Sequence, residues 1–462
     1  MQQRASASEE AIDLLSVLDL RFAWRWLLPL DACSQVFVDG FEVSETQYWR
    51  NVLHPHQLAG DRSTAQIWIV NAEINRQSLV THAREWERVR IVCVIGQGPV
   101  VTRWRRAMQR EFAQVREYGL LPFGSPRLVV PLDSSQHVTK SLRLHQPGRR
   151  VARVGIWVAG LLAKVGIFSP LRRRVLLIAV REPSAMPVGA VQAAVPPKLA
   201  SVGWSYALYL GNSNANRKTV VLPLGTSEPR AILKVGTSIT ARESLRREAA
   251  TLEALRATPV AEYVPQHGEL VECDVASTLY QEHLERRRVA RRVFEETLIA
   301  FLAKLSMSNR RTRPLATVMD EVAESTCGGE FPAPLGLSRR LRSLADLGAI
   351  VCEHRSHGDL APWNCAWTQR GLLVYDWEES QAHAVGFGDA FYYAVAVALH
   401  VERRPDPRRS MRGALAFAEC VSAAAGFEAL DLRVHFALWA LGRVRKAPFY
   451  GSMLRALWHY WR

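Results

Sequence analysis

The chain has 462 residues, 48% of them hydrophobic and 22% charged, which excludes the disordered and fibrous classes and exceeds what one core usually organises. A formal net charge of +15 predicts attraction to something anionic: nucleotide phosphates, nucleic acid or an acidic membrane surface. The excess is spread over many arginines rather than gathered in one basic tail, which argues against specific nucleic-acid binding, and seven scattered cysteines with no CxxC pair exclude a disulfide framework or zinc site.

The opening MQQRASASEE has no basic segment followed by an apolar stretch and a cleavage site, so a cytoplasmic protein is expected. Apolar β-type runs then recur at 35–39 (QVFVD), 66–71 (QIWIVN), 90–95 (RIVCVI) and 174–180 (RVLLIAV), with a helical stretch at 102–118. Strands alternating with helices predict an α/β domain over 1–182 with a largely parallel sheet. In outline the segments DLRFAWRWLLPL and EYGLLPFGSPRLVVPLD resemble class I methyltransferase domains. The glycine-rich cofactor loop of such domains is missing, because the turn after the first strand reads FVDGFEVSE with Gly40 alone, and GQG at 96–98 is a turn. The expectation is a degenerate Rossmann-like domain that no longer methylates, or one whose ligand has changed.

Between 148 and 174, GRRVARVGIWVAGLLAKVGIFSPLRRR places arginines on both sides of an apolar stretch that is too short to span a bilayer. Two readings stand: an interfacial amphipathic helix making peripheral membrane contact, and a helix packed on the α/β sheet. Four prolines and small residues at 183–201 then predict a linker to a second domain at 202–462.

The second domain opens on a hairpin, 206–224, whose tip holds Gly211, Asn212, Ser213, Asn214 and Asn216. A strand follows at 230–235 (RAILKV) with Lys234, then a helix at 243–255 with Glu248 and with Leu245, Ala249 and Leu252 at core spacing. TLYQEHL at 278–284 suits a hinge. Helices are expected at 289–309, at 339–349 and from 389 to the end. The densest signal is HGDLAPWN at 357–364, followed by LLVYDWE at 372–378 and GFGDA at 386–390. Asp359 and Asn364 lie five residues apart, as in the kinase loop H-R-D-x-x-x-x-N, and Asp376 follows an apolar strand as the DFG aspartate does.

On these motifs the chain from 202 to 461 resembles the aminoglycoside phosphotransferase and choline-kinase-like family, which has a bilobal α+β protein-kinase-like fold, with lobes here at about 202–283 and 284–462. The resemblance implies ATP and Mg²⁺ as cofactors and a hydroxylated small molecule as acceptor. Asp359 would be the catalytic base, Asn364 and Asp376 the metal ligands, and Lys234 the phosphate-binding lysine steadied by Glu248. Gly211, Asn212, Ser213 and Asn214 would cradle phosphates, and His357 and Asp389 would support the loop. The competing expectations are a non-catalytic kinase-like binding protein and a methyltransferase with an appended kinase-like domain.

Overall fold

The computed structural model describes residues 23–28, 35–53, 58–72, 86–121, 126–142, 150–181, 205–210, 216–224, 231–273, 276–284, 288–289, 294–327, 333–403, 405–427, 430–444 and 447–461. The expected linker at 183–201 and the hairpin-tip residues Gly211, Asn212, Ser213 and Asn214 lie outside them. Contacts divide the chain into two compact units, Met1–Arg242 with Gly268–Gln281, and Glu243–His267 with Glu282–Arg462.

The first unit is built on β1 (Val36–Asp39), α1 (Val43–Val52), β2 (Ile67–Asn71), β3 (Ile91–Gly96), α2 (Gly98–Glu111), β4 (Gln114–Leu121), β5 (Leu128–Pro131), α3 (Ser135–Leu142), α4 (Arg150–Lys164) and β6 (Val175–Val180). Strands β7 (Ser205–Tyr209), β8 (Lys218–Leu224), β9 (Ala231–Gly236), β10 (His267–Cys273) and β11 (Ala276–Glu282) extend the same sheet. Its order is β1-β2-β3-β6-β4-β5-β7-β8-β9-β11-β10. Alternate residues of β2 and β3 serve two cores: Ile67, Ile69, Ile91 and Cys93 on one face, Trp68, Val70, Val92 and Val94 on the other. Both faces are therefore buried, which is why these strands read as continuous apolar runs rather than alternating ones. The first core runs on through Val129, Leu208, Val221 and Leu233, so one apolar face continues from β1 to β9.

Two expectations are corrected. The sheet is mixed: β1, β2 and β3 are parallel, but β6 returns antiparallel between β3 and β4, and β4–β5, β5–β7 and β7–β8 are antiparallel too. The expected helix at 102–118 ends at Glu111, and residues from Gln114 pair with β6 instead. Phe112 is extended, buried against Trp86, and turns the chain out of the helix.

The second unit holds α5 (Ile239–Leu255, from Glu243), β12 (Arg288–Val289), α6 (Glu296–Ser306), β13 (Arg311–Pro314), α7 (Leu315–Cys327), α8 (Leu335–Asp346), β14 (Ile350–Ser356), β15 (Cys365–Thr368), β16 (Gly371–Val374), β17 (Gln381–Val385), α9 (Gly388–Ala396), α10 (Pro407–Ala424), α11 (Leu432–Leu441) and α12 (Pro448–Trp461). The helix expected at 289–309 thus begins at Glu296, and Arg288 and Val289 pair with β15. Two antiparallel sheets, β12-β15-β16 and β13-β14-β17, bracket the segment 357–364. Phe391, Phe417, Phe436 and Trp377 are fully buried around it.

Candidate active site

The segment HGDLAPWN leaves β14 and enters β15, and the hairpin partner β16 delivers Asp376 two residues after its last strand residue. Residues 357–376 are therefore one closed local structure. Tyr375 N–H donates to the Asn364 carbonyl at 2.8 Å, tying the two strand ends together.

Asp389, 3% exposed, fixes the backbone at the start of this segment. One carboxylate oxygen accepts from His357 N–H at 2.6 Å and the other from Gly358 N–H at 3.0 Å. Charge-assisted bonds of this kind are about twice as strong as neutral ones, and here one carboxylate satisfies two buried donors. Gly358 has φ +86°, and a Cβ there would lie 2.1 Å from the Glu379 carbonyl oxygen, so conformation and space both require glycine.

The buried His357 is a structural link. Asp359 N–H donates to its Nδ1 at 3.3 Å, so the ring proton sits on Nε2, which donates to the Tyr375 carbonyl at 2.9 Å. Trp377 packs on the imidazole at 4.6 Å between ring centroids and donates from Nε1 to the Val374 carbonyl at 2.9 Å. With both nitrogens committed, His357 has no free lone pair for a reacting proton.

Asp359 and Asp376 are the half-exposed carboxylates of this cluster, while Asn364 is buried beside them. Asn364 donates from Nδ2 to the Asp359 carbonyl at 2.9 Å and to its carboxylate at 3.4 Å, which turns the amide oxygen away from Asp359. Asp376 adopts a left-handed conformation (φ 71°, ψ 58°), a state that costs a non-glycine residue energy and clusters at functional sites. The Asp376 carboxylate and the Asn364 amide oxygen are hard ligands of the kind that Mg²⁺ takes from a protein, the rest of its shell being water and phosphate. Among the described residues no cluster of three or more His, Cys, Asp or Glu is placed to hold a metal ion.

Three residues with no sequence signal complete the surroundings of Asp359. Burial first, then the negative charge of the Asp359 carboxylate, push the Tyr392 phenol of α9 well above its ordinary value. Arg443, just after α11, donates from Nη2 to the Gly358 carbonyl at 2.7 Å and lies over the rings of Tyr392 at 4.4 Å and Trp439 at 5.5 Å. Burial raises the Tyr450 phenol of α12, with the positive charge of Arg443 opposing the rise. Trp363, 43% exposed, packs edge-on to His400 at 5.3 Å. From 390 to 462 the chain carries eleven Lys and Arg against five Asp and Glu, so the helices behind Asp359 are basic.

The remaining expected residues fall in two places. Glu248 is fully buried on α5, one turn beyond Ser244, whose hydroxyl bonds the Glu378 carboxylate of the D-W-E turn. Lys234 belongs to the first unit, on β9, and is 7% exposed.

No family model matches the chain, and no curated protein matches it. Among solved structures it is similar to a thermostable mutant of an aminoglycoside phosphotransferase, at 12% identity and a TM-score of 0.35, covering 55% of this chain and 94% of that one. It is also similar to an amicoumacin kinase in complex with AMP-PNP and Ca²⁺, at 12% identity and a TM-score of 0.35, covering 58% and 93%. A glucosamine kinase in complex with glucosamine, ADP and inorganic phosphate gives 16% identity and a TM-score of 0.31, covering 55% and 79%. Likenesses this remote carry no inference about activity.

Proposed function

We propose that the protein is a kinase-like, ATP- and Mg²⁺-dependent phosphotransferase that moves the γ-phosphate to a hydroxyl of a small molecule. The observation that carries this reading is the placement of Asp359, Asn364 and Asp376 in one local structure, with the three N–H groups of 357–359 taken up by Asp389 and His357, the Gly358 carbonyl by Arg443 and the Asp359 carbonyl by Asn364.

Asp359 orients the acceptor hydroxyl and receives its proton as the acceptor oxygen bonds to the γ-phosphorus and the bond to the β-phosphate oxygen breaks, releasing ADP. Asn364 and Asp376 would hold the metal, which when bound would supply the positive charge that phosphate oxygens need. Lys234 and Glu248 keep the roles their sequence context assigns, and Gly211, Asn212, Ser213 and Asn214 remain the proposed phosphate loop. A guanidinium beside the base repels an approaching polycation, so the acceptor in this reading is neutral or anionic.

The deciding experiment is calorimetric titration of MgATP into the protein and its Asp376→Ala variant. Saturable binding that the variant loses supports the site. Folded wild-type protein that takes up no MgATP refutes it.

A further inference from the structure

Helix α4 in the first unit is apolar on two opposite faces, and the faces differ. Ile156, Ala159 and Ala163, three to four residues apart, pack with Leu128, Val130, Val138 and Leu142 of the α3–β5 layer. The opposite face carries large apolar side chains: Val154, Trp157, Val158 and Leu161 are exposed by 59, 65, 40 and 42%, and Val165 and Ile167 beyond the helix by 71 and 46%. A row of large apolar side chains on the outward face is the reverse of a helix that faces water, which keeps its outer side polar.

Charge identifies what covers this stripe. From 134 to 181 the chain holds ten Lys and Arg and no Asp or Glu. Arg150 and Arg153 lie in the first turn of α4, Lys164 is exposed at its last position, and Arg172 and Arg173 are exposed eight and nine residues further on, Arg172 being paired with Glu117. A second copy of this chain would satisfy the apolar stripe but bring the same positive charge against it. An anionic bilayer satisfies both, with the apolar side chains in the acyl boundary and the cations among the phosphates. Trp157 suits that depth, where an amphipathic ring meets both phases. Fifteen residues rise about 22 Å against a hydrocarbon core of about 30 Å, so α4 lies in the surface plane. No helix among the described residues is long and apolar enough to cross a membrane. We propose that α4 docks the protein peripherally on an anionic membrane surface, independently of the reaction proposed above.

The test is co-sedimentation of the full chain with vesicles of phosphatidylcholine alone and of phosphatidylcholine with about a third phosphatidylglycerol. The expected result is binding at least about tenfold stronger to the anionic vesicles, and about tenfold weaker again in Trp157→Glu/Leu161→Glu with an unchanged melting curve. If that variant fails to fold, Val165→Asp, one residue beyond the end of α4, gives the same readout. Folded wild-type protein that ignores anionic vesicles overturns the proposal, as does binding that survives the substitutions. A dimer in size exclusion that the substitutions dissociate, with no vesicle binding, assigns the stripe to a second copy and overturns it too.

Discussion

Gly358 and Asp389 show how much of the site rests on single positions. A methyl group at Gly358 meets the Glu379 carbonyl oxygen at 2.1 Å, so the backbone must shift and the bonds to Asp389 shift with it. Gly358→Ala is expected to cost about 3 kcal/mol or more of stability, since positive φ and overpacking act together, and chemical denaturation reads it. Asp389→Asn turns one acceptor into an NH₂ group facing a backbone N–H, with an expected loss of about 2 kcal/mol. Asp359→Asn behaves otherwise: stability stays near wild type while phosphate transfer falls by about a hundredfold or more, with MgATP affinity retained. An Asp359→Asn enzyme with wild-type turnover on its acceptor would remove the carboxylate from the mechanism. The residues from His357 to Asp389 were legible because their spacing is local, a loop and a hairpin closing on themselves. Tyr392, Arg443 and Tyr450 were not, because tertiary packing of α9, α11 and α12 brings them to Asp359 from as far as 91 residues away in sequence.

Elements were legible where one period dominates. Strands β1, β2, β3 and β6 fall within one residue of their expected bounds, and for β2, β3 and β6 the reason is that a strand buried on both faces needs an unbroken apolar run. The helix expected to reach 118 failed at Phe112 because QVREYGLL, though compatible with either period, has a partner strand in β6 that local sequence does not announce. The C-terminal helices were legible, but their electrostatic role emerges from packing: the turn after α11 sets a guanidinium against the 357–364 segment. Arg443→Glu is expected to reduce kcat/KM for a neutral or anionic acceptor by about tenfold to a hundredfold while leaving MgATP affinity intact. Equal loss of both affinities would mean that Arg443 only props the Gly358 carbonyl.

At the scale of the molecule, strand order was the least legible feature. Parallel pairing follows from alternation of strands and helices only when each strand returns through a crossover, and β6 instead inserts antiparallel between β3 and β4. The sheet's continuation from β5 to β7 is equally silent in the sequence, since proline and small residues at 183–201 read as a break whether or not the strands beyond it pair. Buried histidines tie the second unit together in a way that makes its stability depend on pH. His354 accepts from Phe387 N–H at 2.8 Å and faces the Arg355 carbonyl at 2.8 Å, while His435 accepts from Cys352 N–H at 3.1 Å and faces the Asp431 carbonyl at 3.0 Å. Each is neutral in these roles, and burial lowers both from the ordinary 6.5. The unfolded chain therefore takes up protons below about pH 6.5 that the folded chain refuses, so their contribution is whole above that pH and is lost as pH falls towards the depressed folded values. The unfolding temperature is expected to stay level from about pH 8 to 7 and to drop between about pH 6.5 and 5, above the range where carboxylates titrate. His435→Asn, less stable at neutral pH, should show a shallower drop; a wild-type curve flat down to about pH 5 would remove the histidines as the cause.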